Sequence, residues 1–357
     1  MALPAADVLE AAQDAGLRYS SDERPGITRA RAGRSFRYVD TDGRTIRDAG
    51  EVRRIKRLAI PPAWTDVWIC PDPRGHLQAT GRDAKRRKQY RYHERFREMR
   101  DQNKYWRMVE FAKVLPRIRA RVERDLASEE LSREKVLATI VRLLEQTLIR
   151  IGNKEYAREN RHFGLTTLRG RHVAVNGSRV RFRFTGKSGA THDVDLRDAR
   201  VARVLKRLQE LPGQELFQYL GANGEARRVD SDDVNAYLRE AGGEDFTAKD
   251  FRTWAGTVLV AQALVECEPV ANVRYARKNV TGAIAQVARR LGNTPAVCRK
   301  AYVHPAIVEA YLGGELPRTL RRRVAHAARR SATDLSREET QVLRFLEARV
   351  AKTAKAA

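Results

Sequence analysis

The sequence changes character near residue 95, and this change limits the folds open to the chain. Before it, the turn dipeptides PG at 25–26, DG at 42–43 and PP at 61–62 separate short apolar runs. Turn residues at this spacing are typical of hairpins, so we expect strands here. After it, apolar residues recur at helical spacing, and Pro and Gly become rare until about residue 152. The pattern predicts an α+β protein: a small N-terminal antiparallel β-sheet domain and a larger, mainly α-helical domain.

The predicted domains are residues 1–95, a basic hinge at 96–103, and residues 104–357. Residues 82–107 hold eleven Lys and Arg against four Asp and Glu, interleaved with five aromatic residues. Such a segment suits a phosphate backbone, with the aromatic rings packed on sugars or bases. It equally suits a solvated linker whose aromatic residues are tucked into each domain, and composition does not decide between the two.

The net charge indicates the class of partner. The chain carries 70 Lys and Arg against 45 Asp and Glu, a formal charge of +25, which is typical of a protein that binds a polyanion. The sequence has no apolar stretch of the roughly 20 residues that a spanning helix needs, and its N-terminus lacks the pattern of a secretory signal. We therefore expect an intracellular, cytoplasmic protein that binds nucleic acid and no membrane.

No metal site is predicted. Cys70, Cys267 and Cys298 are far apart in sequence, which indicates neither a disulfide framework nor a zinc site. The acidic run 230–233 precedes a helical pattern, where acidic residues suit the helix N-terminus better than a metal.

Two helices and a hairpin of the second domain carry cationic side chains. Residues 131–150 have apolar residues at helical spacing and Gly152 as a possible C-cap, which would place Arg150 in the last turn. Three short strands are predicted at 172–175, 180–185 and 191–196, with Lys187 at the tip of the second hairpin. Thr247 and Asp250 resemble a capping box that begins a helix, and Lys249 and Arg252 would share one face of it.

A third helix carries a tyrosine. The preceding apolar stripe ends at Gly292, and Thr294 and Pro295 suit the N-cap and first helical position of a new helix containing Tyr302. Further on, residues 317–330 contain six arginines and no acidic residue, which is typical of a solvated helix that adds to the attraction for DNA.

The GKS sequence at 186–188 resembles the end of a phosphate-binding P-loop but does not fit one. That loop needs a glycine five residues before Gly186, where the chain has Arg181 in a strand pattern, and no helix follows. We therefore predict no ATP site and no cofactor, and any phosphoryl chemistry would use cations of the protein itself.

Several segments together resemble the type IB DNA topoisomerases, in particular their small bacterial and poxvirus-like branch. The segments are LAIPPAW at 58–64, GHLQATGRD at 75–83, KQYRYH at 88–93, IRIGN at 149–153, FGLTTL at 163–168, GK at 186–187, KDFRTW at 249–254 and TPAVCRKAYVHP at 294–305. By this resemblance, Arg150, Lys187, Arg252 and Tyr302 match the catalytic residues of the family. Asn293 stands where many relatives have histidine, and it can still donate a hydrogen bond to phosphate.

The resemblance implies a fold, a reaction and a set of DNA contacts. The catalytic domain would have the fold shared by tyrosine recombinases and type IB topoisomerases, and a monomer would clamp double-stranded DNA. Tyr302 would form a transient 3′-phosphotyrosyl link, with Lys187 as general acid, so that supercoils relax without ATP or metal. The enzyme would act at the nucleoid. The implied DNA contacts outside the catalytic set are Arg82, Lys88, Gln89, Tyr90, Tyr92, Tyr156 and Lys249; for Tyr92, core packing is the alternative.

Two other functions remain open at this point. A tyrosine recombinase shares the catalytic fold, but it typically has a His-x-x-Arg sequence where this chain has Lys249 and Arg252. A non-catalytic basic protein that coats nucleic acid would explain the charge, but not the convergence of the catalytic motifs.

Overall fold

The computed structural model describes residues 6–33, 35–84, 86–221, 223–243, 245–267, 272–316, 320 and 331–356. The chain divides into two compact units, Met1–Tyr105 and Trp106–Ala357. The arginine-rich segment 317–330 lies outside the described residues except for Leu320. Among the helices described, none has both the length and the apolar character needed to cross a bilayer.

A five-stranded antiparallel sheet forms the centre of the first unit, in agreement with the predicted class. Its strand order is β2-β1-β3-β4-β5. The strands are β1 Ile27–Ala32, β2 Ser35–Val39, β3 Thr65–Ile69, β4 Leu77–Arg82 and β5 Lys88–Tyr92. Two helices that the turn pattern did not predict accompany the sheet: α1 Ala6–Asp14 and α2 Ala49–Arg57.

Two apolar clusters stabilise this unit. Ile55 of α2 packs with Ile27 and Ile69 of the sheet, and all three side chains are buried. A second cluster joins Ala12, Leu17 and Phe96, the last from helix α3 Glu94–Ala127. Residues 96–103, predicted as a hinge, are part of this helix.

The second unit is mainly helical, as predicted. Its other helices are α4 Arg133–Thr147, α5 Lys154–Asn160, α6 Ala199–Gln209, α7 Ser231–Gly242, α8 Ala248–Glu266, α9 Val273–Leu291, α10 Pro295–Tyr302, α11 Pro305–Leu312 and α12 Arg337–Ala356. A short pair, β9 Gln218–Leu220 and β10 Ala226–Arg228, lies between α6 and α7 in sequence.

The predicted three-stranded sheet of the second unit is present. It consists of β6 Val173–Asn176, β7 Arg179–Thr185 and β8 Thr191–Arg197, all antiparallel, and Lys187 begins the turn between β7 and β8. On the solvent face of the hairpin, Arg181 makes two hydrogen bonds of 2.7 Å to Asp193 and lowers the pKa of that carboxyl to about 2.

The local capping predictions are confirmed. Thr247 and Asp250 form the capping box that begins α8, and Thr294 caps α10 with Pro295 at its first position. Asp230 caps α7, as expected for the acidic run.

The predicted end of α4 is wrong. The helix ends at Thr147, because Leu148 adopts a left-handed conformation with φ of 57°, and Gly152 is not its cap. Arg150 therefore lies in the extended segment after the helix rather than in its last turn. A left-handed leucine is unfavourable on its own, so tertiary contacts must stabilise it.

A partly buried ion-pair network attaches α12 to the core of the second unit. Arg119 donates to both oxygens of Glu339, at 2.8 and 3.0 Å, and to Glu145 at 2.6 Å. Trp254 of α8 donates its indole N–H to Glu339 at 3.2 Å. Burial alone would raise the pKa of Glu339, but Arg119 outweighs burial and leaves it below the ordinary value.

We expect Glu339→Gln to destabilise the second unit by about 2 to 3 kcal/mol at neutral pH, because a partly buried charge-assisted hydrogen bond is lost. The depressed pKa means that this stabilisation is complete above the unfolded-state pKa and is lost as pH falls through the folded-state pKa. The measurement is thermal or urea unfolding of both proteins from neutral to acidic pH. Glu347→Gln is the control, because the ion pair of Glu347 with Lys113, at 3.6 Å, is exposed and its loss should have little effect. Equal stability of the wild type and Glu339→Gln at neutral pH would contradict the expectation.

Candidate active site

Two arginines from distant parts of the chain meet where three elements end. Arg252 is 4% exposed, and its guanidinium donates to the carbonyls of Leu148, after α4, and Leu291, at the end of α9. Arg150 donates to the carbonyl of Gly292 at 3.2 Å and to the side-chain oxygen of Asn293. The two guanidinium groups therefore hold the ends of α4 and α9 together.

Tyr302 completes the group. It is the last residue of α10, and the Arg252 guanidinium carbon lies 5.2 Å from the centre of its ring. The Thr257 hydroxyl of α8 donates to the Tyr302 carbonyl at 3.2 Å and accepts from the His304 amide at 3.1 Å, which fixes the end of α10 against α8. The nucleophile candidate is thus a half-buried tyrosine beside a buried cation.

Three buried N–H donors in this group have no hydrogen-bond acceptor among the residues that the structure describes. They are Nη1 of Arg150, Nε of Arg252 and Nδ2 of Asn293. A buried donor without an acceptor is costly, and an unexplained one is characteristic of a ligand site. Two of the three groups are cationic, which indicates that the missing acceptor is an anion.

The same residues line a cavity of about 530 Å³ with other predicted site residues. Its wall includes Arg150, Lys187, Lys249, Arg252, Tyr302 and Tyr156. Lys187 and Lys249 are exposed. The carboxylate of Glu155 also lines the cavity, so the wall carries one acidic side chain and the four cationic side chains of Arg150, Lys187, Lys249 and Arg252. The structure therefore brings the four predicted catalytic side chains to one cavity, with Asn293 joined to them through Arg150.

The charges of the site act on the tyrosine. Burial alone would raise the pKa of Tyr302, but Arg252 and Arg150 outweigh burial and leave that pKa below its ordinary value. Burial also lowers the pKa of Arg252, yet an arginine stays charged at physiological pH. The site thus favours the deprotonated phenol, the form that attacks an electrophile.

The predicted DNA contacts of the first unit lie together on β4 and β5. Lys88 pairs with Asp22 at 2.6 Å, and Gln89 donates to Asp83 at 3.1 Å. Tyr90 is 45% exposed and stacks on Tyr92, with ring centres 6.0 Å apart.

Tyr92 and Arg82 have partners within this unit as well. Tyr92 packs partly buried against the cluster that contains Phe96, the alternative foreseen for it. The Nε atom of Arg82 lies 3.7 Å from the Oδ2 atom of Asp66. Contacts to DNA from any of these residues remain predictions.

Sequence reasoning missed two side chains beside the site. His192 of β8 lies against Gly186 and Gly292, and His162 lines the cavity with a buried Nδ1 that has no partner among the described residues. The alternation of residues 191–196 is a signal for His192, because it places residues 192, 194 and 196 on the inner face of the strand.

Two family models of known proteins match the chain. Residues 93–314 match the family model of the catalytic core of eukaryotic DNA topoisomerase I. Residues 35–83 match that of the N-terminal domain of bacterial DNA topoisomerase IB.

Curated relatives are similar in sequence over most of their length. DNA topoisomerase 1B of Acanthamoeba polyphaga mimivirus is 33% identical over 293 residues, which cover 80% of this chain and 87% of the relative. DNA topoisomerase 1B of vaccinia virus (strain Copenhagen) is 22% identical over 261 residues, which cover 71% of this chain and 80% of the relative.

A hairpin lysine, two clustered arginines and a tyrosine line one cavity of the helical unit, which suits an enzyme that acts on a phosphodiester. The family matches decide which one: the chain belongs to the type IB DNA topoisomerases.

Proposed function

We propose that this protein relaxes supercoiled DNA by cutting and resealing one strand, with Tyr302 as the nucleophile. The observation that carries the proposal is the set of three buried donors without acceptors next to Tyr302, from Arg150, Arg252 and Asn293. A phosphodiester bound there would supply the missing acceptors through its non-bridging oxygens.

In the cleavage step, the Tyr302 oxygen attacks the scissile phosphorus and the bond from phosphorus to the 5′ oxygen breaks. The phenol gives its proton to solvent water as the new phosphotyrosyl bond forms at the 3′ side. The lowered pKa of Tyr302 assists this loss. Because the phosphodiester energy is kept in the new bond, the reverse attack by the 5′ hydroxyl reseals the strand, and no ATP or metal enters the scheme.

The leaving 5′ oxygen needs a proton, and we assign Lys187 as its donor. Lys187 is on an exposed turn that lines the same cavity as Tyr302. Lys249, exposed one turn from Arg252, lines it as well and is the proposed relay. A protonated amine on a turn can follow the 5′ oxygen as it departs.

The two arginines stabilise the transition state. Attack produces a phosphorane whose non-bridging oxygens carry more negative charge than those of the starting diester. Donors fixed at that position therefore bind the transition state better than the substrate. Arg252 is fixed by its bonds to two carbonyls and Arg150 by its bonds to Gly292 and Asn293.

Binding of the duplex is assigned to both units. The protein would act as a monomer that closes on double-stranded DNA at the nucleoid. In the first unit, Tyr90 is exposed, and Lys88 would exchange Asp22 for a phosphate. Arg82, Gln89 and Tyr92 complete this set, and Tyr156, on the cavity wall, is the proposed phosphate contact of the second unit.

The test is relaxation of negatively and positively supercoiled plasmid in EDTA without ATP. We expect both to relax, at a rate proportional to enzyme concentration as for a monomer. Relaxation only of plasmids with a particular site, with second-order dependence on enzyme, would favour a tyrosine recombinase. Tight binding without relaxation would favour a non-catalytic DNA-coating protein.

A further inference from the structure

We propose that His192 is a positioning residue, which sets the distance between the turn that carries Lys187 and the pair formed by Arg150 and Asn293. This inference rests on the proposed function, and it assigns a role to a side chain outside the catalytic set. The structural basis is one imidazole ring that contacts backbone on both sides of the site.

The first contact is with the Lys187 turn. A Cβ atom built on Gly186 would lie 2.6 Å from Cδ2 and Nε2 of His192, so the ring occupies the space that a side chain at 186 would need. Only glycine allows this approach, since real Cβ atoms do not come so close. Lys187 follows directly, and residues 187–189 are exposed.

The second contact is with the loop that carries Asn293. Gly292 has a φ of 59°, and a Cβ built there would lie 2.7 Å from Cε1 of His192. The carbonyl of Gly292 accepts from Arg150, and Asn293 follows it in sequence. Because Arg150 and Arg252 hold this loop, the ring rests on a fixed support on that side, and its loss would displace the exposed Lys187 turn.

The ring is oriented from within the hairpin. His192 pairs with Phe184 across the strands, and the two rings stack with centres 4.8 Å apart and an interplanar angle of 7°. Phe184 is buried, so it provides a fixed support. Burial and the nearby Arg150 and Arg252 lower the pKa of His192, which keeps the ring neutral beside the guanidinium groups.

A backbone bond also joins the hairpin to the site region: the amide of Phe163 donates to the carbonyl of Thr185 at 2.8 Å. That bond holds the end of β7, while the turn itself is closed by Gly186 and Ala190. The His192 side chain joins the turn to the loop at Gly292. A small displacement of a catalytic group has a large effect on rate, so the ring has a measurable role.

The experiment measures single-turnover cleavage of a duplex oligonucleotide by wild type, Lys187→Ala, His192→Ala and the double variant. We expect His192→Ala to cleave on the order of 10- to 100-fold more slowly. It should slow the Lys187→Ala enzyme much less, because a residue that acts through Lys187 has little left to position once Lys187 is gone. Equal fold losses in both backgrounds would overturn the proposal.

A second substrate gives a readout that general damage to the fold would not produce. When sulfur replaces the bridging 5′ oxygen, the leaving group needs no proton. The sulfur substrate should restore most of the rate to His192→Ala and to Lys187→Ala. An equal defect with oxygen and sulfur would overturn the proposal.

Two further variants keep the test independent of folding. Phe184→Leu leaves His192 in place but removes the ring that orients it, and it should show a smaller loss with the same rescue by sulfur. Val194→Ala, at the next inner position of β8, weakens the hairpin without touching His192 and should cleave normally. A Val194→Ala defect equal to that of His192→Ala would overturn the proposal. Failure of wild type to cleave either substrate would count against the proposed function itself.

Discussion

Tyr302→Phe is expected to abolish covalent capture of DNA and plasmid relaxation while leaving DNA binding intact. The substitution removes the nucleophilic oxygen and keeps the ring, which lies beside Arg252 with the guanidinium carbon 5.2 Å from its centre. The hydroxyl that is removed makes no large contribution to packing, because Tyr302 is only half-buried. The measurement is denaturing electrophoresis of protein mixed with a labelled oligonucleotide, with an electrophoretic mobility assay for binding.

Tyr311→Phe is the matched control for this experiment. Tyr311 lies nine residues further on, in α11, and its buried hydroxyl accepts from Asn279 at 2.8 Å. Losing that bond should cost about 1 kcal/mol of stability but leave the covalent adduct. An adduct that persists in Tyr302→Phe would show that another residue attacks the phosphorus.

The features that local chemistry controls could be predicted from the sequence. Thr247 with Asp250, and Thr294, begin helices because their side chains accept hydrogen bonds from the first free amide groups of the helix. Pro295 suits the first helical position because proline has no amide hydrogen that would need an acceptor. The Lys187 turn follows similarly from glycines between two alternating strand patterns.

The position of Arg150 could not be predicted in this way. Leu148 ends α4 in a left-handed conformation, for which leucine has no preference. What holds the Leu148 carbonyl is the guanidinium of Arg252, more than a hundred residues away in sequence. The helix end is therefore set by a tertiary contact that no local pattern contains.

The first unit also contains a contact between distant residues that the sequence could not predict. The family resemblance predicts Lys88 as a DNA contact, but the structure pairs it with Asp22 of a distant loop. The hydrogen bond to Asp22 raises the pKa of Lys88, so the lysine stays charged while it is paired. A cation held by a carboxylate must exchange partners before it contacts phosphate, and composition alone does not reveal this step.

The second large effect is expected for Arg252→Ala, which should lower the cleavage rate by about a hundredfold to a thousandfold. The transition state for cleavage is also that for religation, so a residue that binds only this state affects both directions equally. We therefore expect both rates to fall by the same factor and the cleavage–religation equilibrium to stay unchanged. The measurement is single-turnover cleavage and, from the isolated covalent complex, single-turnover religation.

Arg252→Lys separates charge from geometry in this experiment. Lysine keeps the positive charge but lacks the planar set of donors that binds the carbonyls of Leu148 and Leu291 while leaving Nε free. We expect it to recover little activity, and unfolding measurements on both variants will give the folded fraction at the assay temperature. Faster cleavage with little change in the religation rate, and so an equilibrium shifted toward the covalent complex, would mean that Arg252 stabilises the uncut complex instead. The free Nε would then be part of substrate binding, and transition-state stabilisation would fall to Arg150, whose Nη1 is also buried without an acceptor among the described residues.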